Sequence, residues 1–129
     1  MNLRRKSAVV LSTLALASAG IATTATPAAA VGGCPSGKLC LYEGTNFTSL
    51  TFTSASTKLC FDLTSYGNGF RNGVRSYVNN LPVKAEVFHR ISRTSDVIEL
   101  DGTISPGGSS SNAGSGFGVD GVVCTGGAR

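Results

Sequence analysis

Four cysteines, Cys34, Cys40, Cys60 and Cys124, constrain this chain more than any other feature, because all of them follow a stretch that reads as an export signal. Met1 to Ala30 opens with the basic residues Arg4, Arg5 and Lys6, runs through an apolar centre from Ala8 to Ala22, and ends on Ala28, Ala29 and Ala30. That order is the plan of a secretory signal peptide cleaved after a small residue. A membrane anchor is the other reading, but Ser12, Thr13, Ser18, Gly20, Thr23 and Thr24 dilute the run and no second apolar span follows. An even number of cysteines in a small exported domain implies disulfides rather than metal thiolates. Two bridges allow three pairings. Cys34 with Cys40 and Cys60 with Cys124 is favoured, since the first pair closes a small turn around Pro35 and Gly37 and the second fastens a flexible tail. Zinc fails on both spacing and compartment.

Cleavage after Ala30 leaves residues 31–129, enough for one domain with a modest core. Of the 11 basic residues, Arg4, Arg5 and Lys6 lie in the signal, so 8 face 7 acids and the mature charge is near +1 rather than +4. The basic character of the precursor belongs to its leader. A nucleic-acid or anionic-membrane role loses its support, because no basic run or aromatic-interleaved basic face remains. The expected product is a secreted, extracellular monomer without a cofactor.

The mature chain reads as short strands between turns. Lys38 to Glu43, Ser49 to Thr53 and Thr57 to Phe61 are Thr- and aromatic-rich. Asp62 to Tyr66 suits one helical turn before the break at Gly67-Asn68-Gly69, and Arg75 to Asn79 is a further strand. The most regular run places Val83, Ala85, Val87, His89 and Ile91 on one face and Lys84, Glu86, Arg90 and Ser92 on the other, with Phe88 the apolar exception on the polar face. Asp96 to Leu100 reads as a strand, and Asp101-Gly102 as a turn before Thr103-Ile104. From Gly102 onward the composition shifts to nine glycines and five serines in 28 residues, giving a Gly/Ser-rich loop at about 105–118 before a last strand from Val119 to Cys124. Tyr42 to Phe52 and Phe88 to Leu100 echo one another weakly, as in a duplicated hairpin unit.

Cys34 to Thr48, then Cys60-Phe61-Asp62-Leu63, then Phe70 to Asn80 carry a resemblance. Together they resemble the exported actinobacterial peptidase-inhibitor family related to the Streptomyces metalloproteinase inhibitor, whose members are single-domain relatives of the βγ-crystallins. The likeness covers about half of the mature chain and implies an all-β fold, a small disulfide-stapled Greek-key βγ-crystallin-like sandwich. Two departures stand out. The crystallin aromatic hairpin is similar to Tyr42, four residues, Phe47, one residue and Gly, but here the last position is Ser49. The family's calcium loop falls on Arg71, Asn72, Gly73, Val74, Arg75 and Ser76, where Arg71 replaces an acid or amide and Arg75 a hydroxyl ligand. Calcium wants six to eight oxygens, and two guanidinium groups oppose it. Asn72 and Ser76 are then expected to hydrogen-bond the turn, with Arg75 facing water.

The resemblance also implies inhibition of a secreted, metalloproteinase-type peptidase. The family presents a disulfide-held loop, and no second close cysteine pair carries it here. A rigid loop entering a cleft in extended form still loses little entropy on binding. The candidate partner-binding residues are Glu43, Gly44, Thr45, Asn46 and Phe47, with the strand end near Cys60 as a second location. Tyr42 and Phe47 are expected to pack over the hairpin. A crystallin-like structural, antimicrobial or envelope-associated protein is the alternative. Catalysis has little support: His89 reads as a hydrogen-bonded core histidine, no serine sits in a nucleophile elbow, and Asp96, Glu99 and Asp101 read as solvated charges flanking one strand.

Overall fold

The computed structural model describes residues 30–129. The predicted signal peptide, apart from its final Ala30, lies outside the described residues. Eight strands follow: β1 (Leu39–Tyr42), β2 (Leu50–Ser54), β3 (Cys60–Asp62), β4 (Ser76–Asn79), β5 (Ala85–Arg90), β6 (Ile98–Ile104), β7 (Ser109–Ser110) and β8 (Val122–Thr125). Their order is β2-β1-β4-β7 in one sheet and β3-β8-β5-β6 in the other, and every pairing is antiparallel. The chain is thus two four-strand units, each lending its third strand to the other's sheet. That exchange is a Greek-key arrangement, and it fits a βγ-crystallin-like sandwich.

Alternation along the strands builds the core. Leu39 and Leu41 of β1 join Phe52, Leu63, Phe70, Val74, Leu81, Ala85, Val87, Ile104 and Val123 between the sheets. Burying one such aliphatic or aromatic side chain contributes about 1.5–3 kcal/mol. Cys40 and Tyr42, at the alternate positions of β1, are buried as well, in a second cluster with Cys34 and Val78 under which Phe47 packs. All four residues of β1 are therefore buried although their side chains leave opposite faces. The N-terminal segment makes this possible, because the Tyr42 hydroxyl donates to the Gly32 carbonyl at 2.9 Å and the Cys34–Cys40 bridge holds that segment down. The second bridge joins Cys60 to Cys124, which stand directly opposite in the β3–β8 pair.

Between β4 and β5 the chain reverses around Asn79. Its side-chain amide donates to the carbonyls of Val83 and Ile104 while its carbonyl oxygen accepts from the Leu81 N–H. Asn80 donates to the carbonyls of Cys34 and Pro35 and so ties the first turn to this one.

Several expectations need correction. The third strand begins at Cys60, not Thr57, because the backbone and side chain before it are spent on the C-terminal turn: the Leu59 N–H donates to Thr125 Oγ1 and Lys58 Nζ to the Gly126 carbonyl. The predicted turn at Asp101-Gly102 is a β-bulge inside a continuous β6. Val87 pairs with Gly102 and Phe88 with Leu100, which leaves Asp101 as the extra residue. The apolar stripe of β5 stops at Val87. Ile91 is exposed, whereas Phe88 is buried on the outer face, under the Arg129 guanidinium 4.7 Å from its ring centre. Within the Gly/Ser-rich stretch, Ser109–Ser110 pair with Val78 and Tyr77 as an edge strand.

Candidate functional site

Seven residues connect Tyr42 to Leu50, and they form a coiled loop rather than the extended one expected. Asn46, Phe47 and Ser49 all have left-handed backbones, with φ of 56°, 59° and 57°. For residues with a side chain that conformation costs about 1 kcal/mol each, less for Asn. The surrounding contacts hold it. Glu43 N–H donates to Ser49 O and Gly44 N–H to Thr48 O, both at 3.0 Å, and the Thr48 hydroxyl donates to Thr45 O. Two tethers come from outside the loop. Ser76 Oγ accepts from the Phe47 N–H at 3.0 Å and donates to the Gly44 carbonyl at 2.6 Å, while the Asn46 N–H donates to the Ser111 carbonyl at 2.7 Å. Ser49 stands where the aromatic hairpin motif has Gly, and its backbone lies in the left-handed region that favours glycine.

Aromatic packing fixes the loop from below. Tyr42 and Phe47 meet edge to face, with ring centres 5.6 Å apart, and the Phe47 ring lies so close to Gly32 that a Cβ there would fall within 2.8 Å of it. Burial pushes the Tyr42 hydroxyl above its ordinary pKa. Of the five candidate partner-binding residues, Asn46 is exposed, and Glu43, Gly44, Thr45 and Phe47 are partly covered. Thr48, at the end of the candidate loop, is exposed beside Asn46, and so are Ser49 and Leu50, which lie beyond the expected residues; Leu50 is 48 % exposed. Near Cys60, Leu59 is also exposed.

The Glu43 carboxylate turns inward. Oε2 accepts from the Phe70 N–H at 2.9 Å, and Oε1 accepts from the Thr51 hydroxyl at 3.0 Å with the Asn68 N–H at 3.5 Å. These contacts bear on calcium, which the resemblance in sequence implies. Glu43 and Ser76 already have internal partners, Arg71 and Asn72 are exposed, and Arg75 Nε is buried without a hydrogen-bond partner. Arg75 therefore does not simply face water, as its sequence context suggested. A hard cation needing a shell of oxygens does not fit this set.

The other hairpin carries charge. His89 is about one-third exposed at the rim of the sandwich, not in the core; its Nδ1 lies 2.6 Å from Asp101 Oδ1 and its Nε2 3.5 Å from Glu99. Asp101 is exposed, and its carboxylate also accepts the Gly118 N–H at 2.7 Å. Nearby, Arg90 bonds Asp62 at 2.9 Å and the Asp120 carbonyl at 2.7 Å, and Arg93 pairs with Asp120. Desolvation works against the Asp62 carboxylate, but the Thr64 hydroxyl, the Arg90 guanidinium and the Thr64 N–H outweigh it and hold its pKa below the ordinary value. Among the described residues no helix is long and apolar enough to cross a membrane.

Compared with known protein families, residues 27–94, just over half of the chain, match the one described as peptidase inhibitor family I36. The match spans β1 to β5 and includes the tethered loop. No curated protein matched, and no solved structure did.

Proposed function

We propose, from the premise that this chain belongs to peptidase inhibitor family I36 and is not an enzyme, that it acts outside the cell on a secreted metallopeptidase through the loop between β1 and β2. The observation that carries this reading is the double tether of that loop. Ser76 from β4 and Ser111 beyond β7 hold Gly44, Asn46 and Phe47 from outside the hairpin, and the Tyr42 ring supports Phe47. A loop fixed before binding gives up little conformational entropy when it meets a cleft. Because three of its residues are left-handed, the loop acts as a convex plug and does not lie in the cleft like an extended substrate. Asn46, Thr48 and Leu50 are the residues it offers to the enzyme. The two disulfides suit an oxidising, extracellular setting.

The test is a titration of secreted metallo- and serine peptidases with the oxidised protein, repeated after reduction and alkylation. Stoichiometric inhibition of a metallopeptidase, lost on reduction, is the expected result. Inhibition of serine peptidases alone would overturn the assignment to the metallo class, and inhibition that survives reduction would overturn the preorganised loop.

A further inference from the structure

A cavity of about 440 Å³ opens between the β1–β2 loop and the turn that precedes β4, lined by Glu43, Ser49, Asn68, Arg71, Asn72 and Gly73. Arg71, Asn72 and Gly73 belong to the stretch on which the resemblance to a calcium loop falls. The side chains carry the opposite chemistry. Glu43 is the one carboxylate of the lining, and its two oxygens already face the Phe70 N–H, the Thr51 hydroxyl and the Asn68 N–H. Its charge is met from inside the protein.

Besides Ser49, the remaining polar side chains of the lining are those of Arg71, Asn68 and Asn72, each of which offers N–H donors. Arg71, Asn68 and Asn72 are exposed, and among the described residues no hydrogen bond or ion pair engages the Arg71 guanidinium or either side-chain amide. A planar guanidinium offers paired N–H groups that match a carboxylate or phosphate in bidentate fashion, and flanking amides complete the set of donors.

We propose that this cleft is an oxyanion site for a carboxylate or phosphate group, with Arg71 as the bidentate donor and the Asn68 and Asn72 amides beside it. The inference does not depend on inhibition, since it concerns the cleft and not the loop tip. Sodium acetate and sodium phosphate are the probes, each titrated into the ¹⁵N-labelled oxidised protein against sodium chloride at matched ionic strength. Saturable shifts of the Arg71 Nε–H and the Asn68 and Asn72 side-chain amides are expected with acetate, phosphate or both, and which salt produces them identifies the group recognised. Arg71→Gln should weaken binding roughly tenfold or more, and Arg71→Lys should recover only part of it, because a point charge cannot replace the fork. The proposal is overturned by the absence of saturable shifts with both oxyanions, by unchanged affinity in Arg71→Gln, or by calcium chloride saturating the same resonances.

Discussion

In the β1–β2 hairpin the bulge leaves Thr51 as the extra residue, Tyr42 covers the outer face, and Glu43 reaches the Phe70 N–H of the following long loop. In the β5–β6 hairpin the bulge leaves Asp101, Phe88 covers the outer face, and Asp101 reaches the Gly118 N–H of its own long loop. Each outer aromatic lies under a segment at one edge of the described residues: Gly32 receives the Tyr42 hydroxyl, and Arg129 sits over Phe88. The two hairpins share a plan and differ in what holds their tips. The first tip is tethered by neutral hydrogen bonds from Ser76 and Ser111. The second has neutral bonds within its turn, and its ties to other segments are charged, through Arg90, Arg93, Asp62 and Asp120. Neutral bonds ask for close, fixed geometry and respond weakly to salt and pH, whereas partly exposed ion pairs are screened. The neutral tethers are what support the first tip as the proposed docking element.

The largest expected difference between the halves lies in their bridges. Cys60 and Cys124 are separated by 64 residues, and Cys34 and Cys40 by 6. On the chain-entropy account, replacing Cys60 and Cys124 by Ser should cost about 4 kcal/mol and replacing Cys34 and Cys40 about 2 kcal/mol, measured by denaturant unfolding. Equal losses would show that local packing, not loop closure, sets what each bridge contributes.

Ser76→Ala comes next. It removes the acceptor for the Phe47 N–H and the donor to the Gly44 carbonyl, so a loss of about 2 kcal/mol is expected, with faster amide exchange at Phe47 and weaker inhibition. Unchanged exchange at Phe47 would mean that the aromatic pair alone holds the tip.

Ser49→Gly should run the other way. A glycine in this left-handed position relieves about 1 kcal/mol of backbone cost and raises the melting temperature, provided the added freedom of the unfolded chain does not cancel it. A fall in melting temperature would show that the Ser49 side chain contributes more than its backbone costs.

The smallest effect belongs to the charged half. The Asp62 carboxylate has a lowered pKa in the folded state, so its contribution is present above the unfolded value near 3.9 and is lost as pH falls through the lower folded value. Melting curves between neutral and strongly acid pH should therefore separate the native protein from Asp62→Asn at neutral pH and bring them together in acid. Curves that stay parallel would remove Asp62 from the acid response.

Much of this plan was legible because it is written in local pattern. The alternation of Leu39 and Leu41 with Cys40 and Tyr42, the turn around Asn46, and the run from Ala85 to Val87 each mark a strand or its end without help from elsewhere. What escaped depends on partners far along the chain. Asp101-Gly102 has the composition of a turn, but β5 pairs with the residues on both sides of it and converts it to a bulge. Ser109–Ser110 have no strand pattern and pair only because the edge of β4 is free to receive them. His89 follows the apolar period of β5 yet lies beyond the end of the core. At the site, the exposed tip at Asn46 was readable from Gly and Asn in a turn, whereas the inward carboxylate of Glu43 was not, since its partners Phe70 and Asn68 belong to another loop.

The most direct test of the central claim, that the tethered β1–β2 loop meets the peptidase, uses a double variant at two exposed positions, Asn46→Asp with Leu50→Arg. A secreted metallopeptidase that the native protein inhibits is titrated with both proteins, and the melting temperature of each is recorded. Weakening of inhibition by roughly 100-fold, the scale of a hot-spot loss of more than 2 kcal/mol, with melting retained, is the predicted result. Undiminished inhibition by the folded variant would contradict it and place the contact elsewhere on the sandwich.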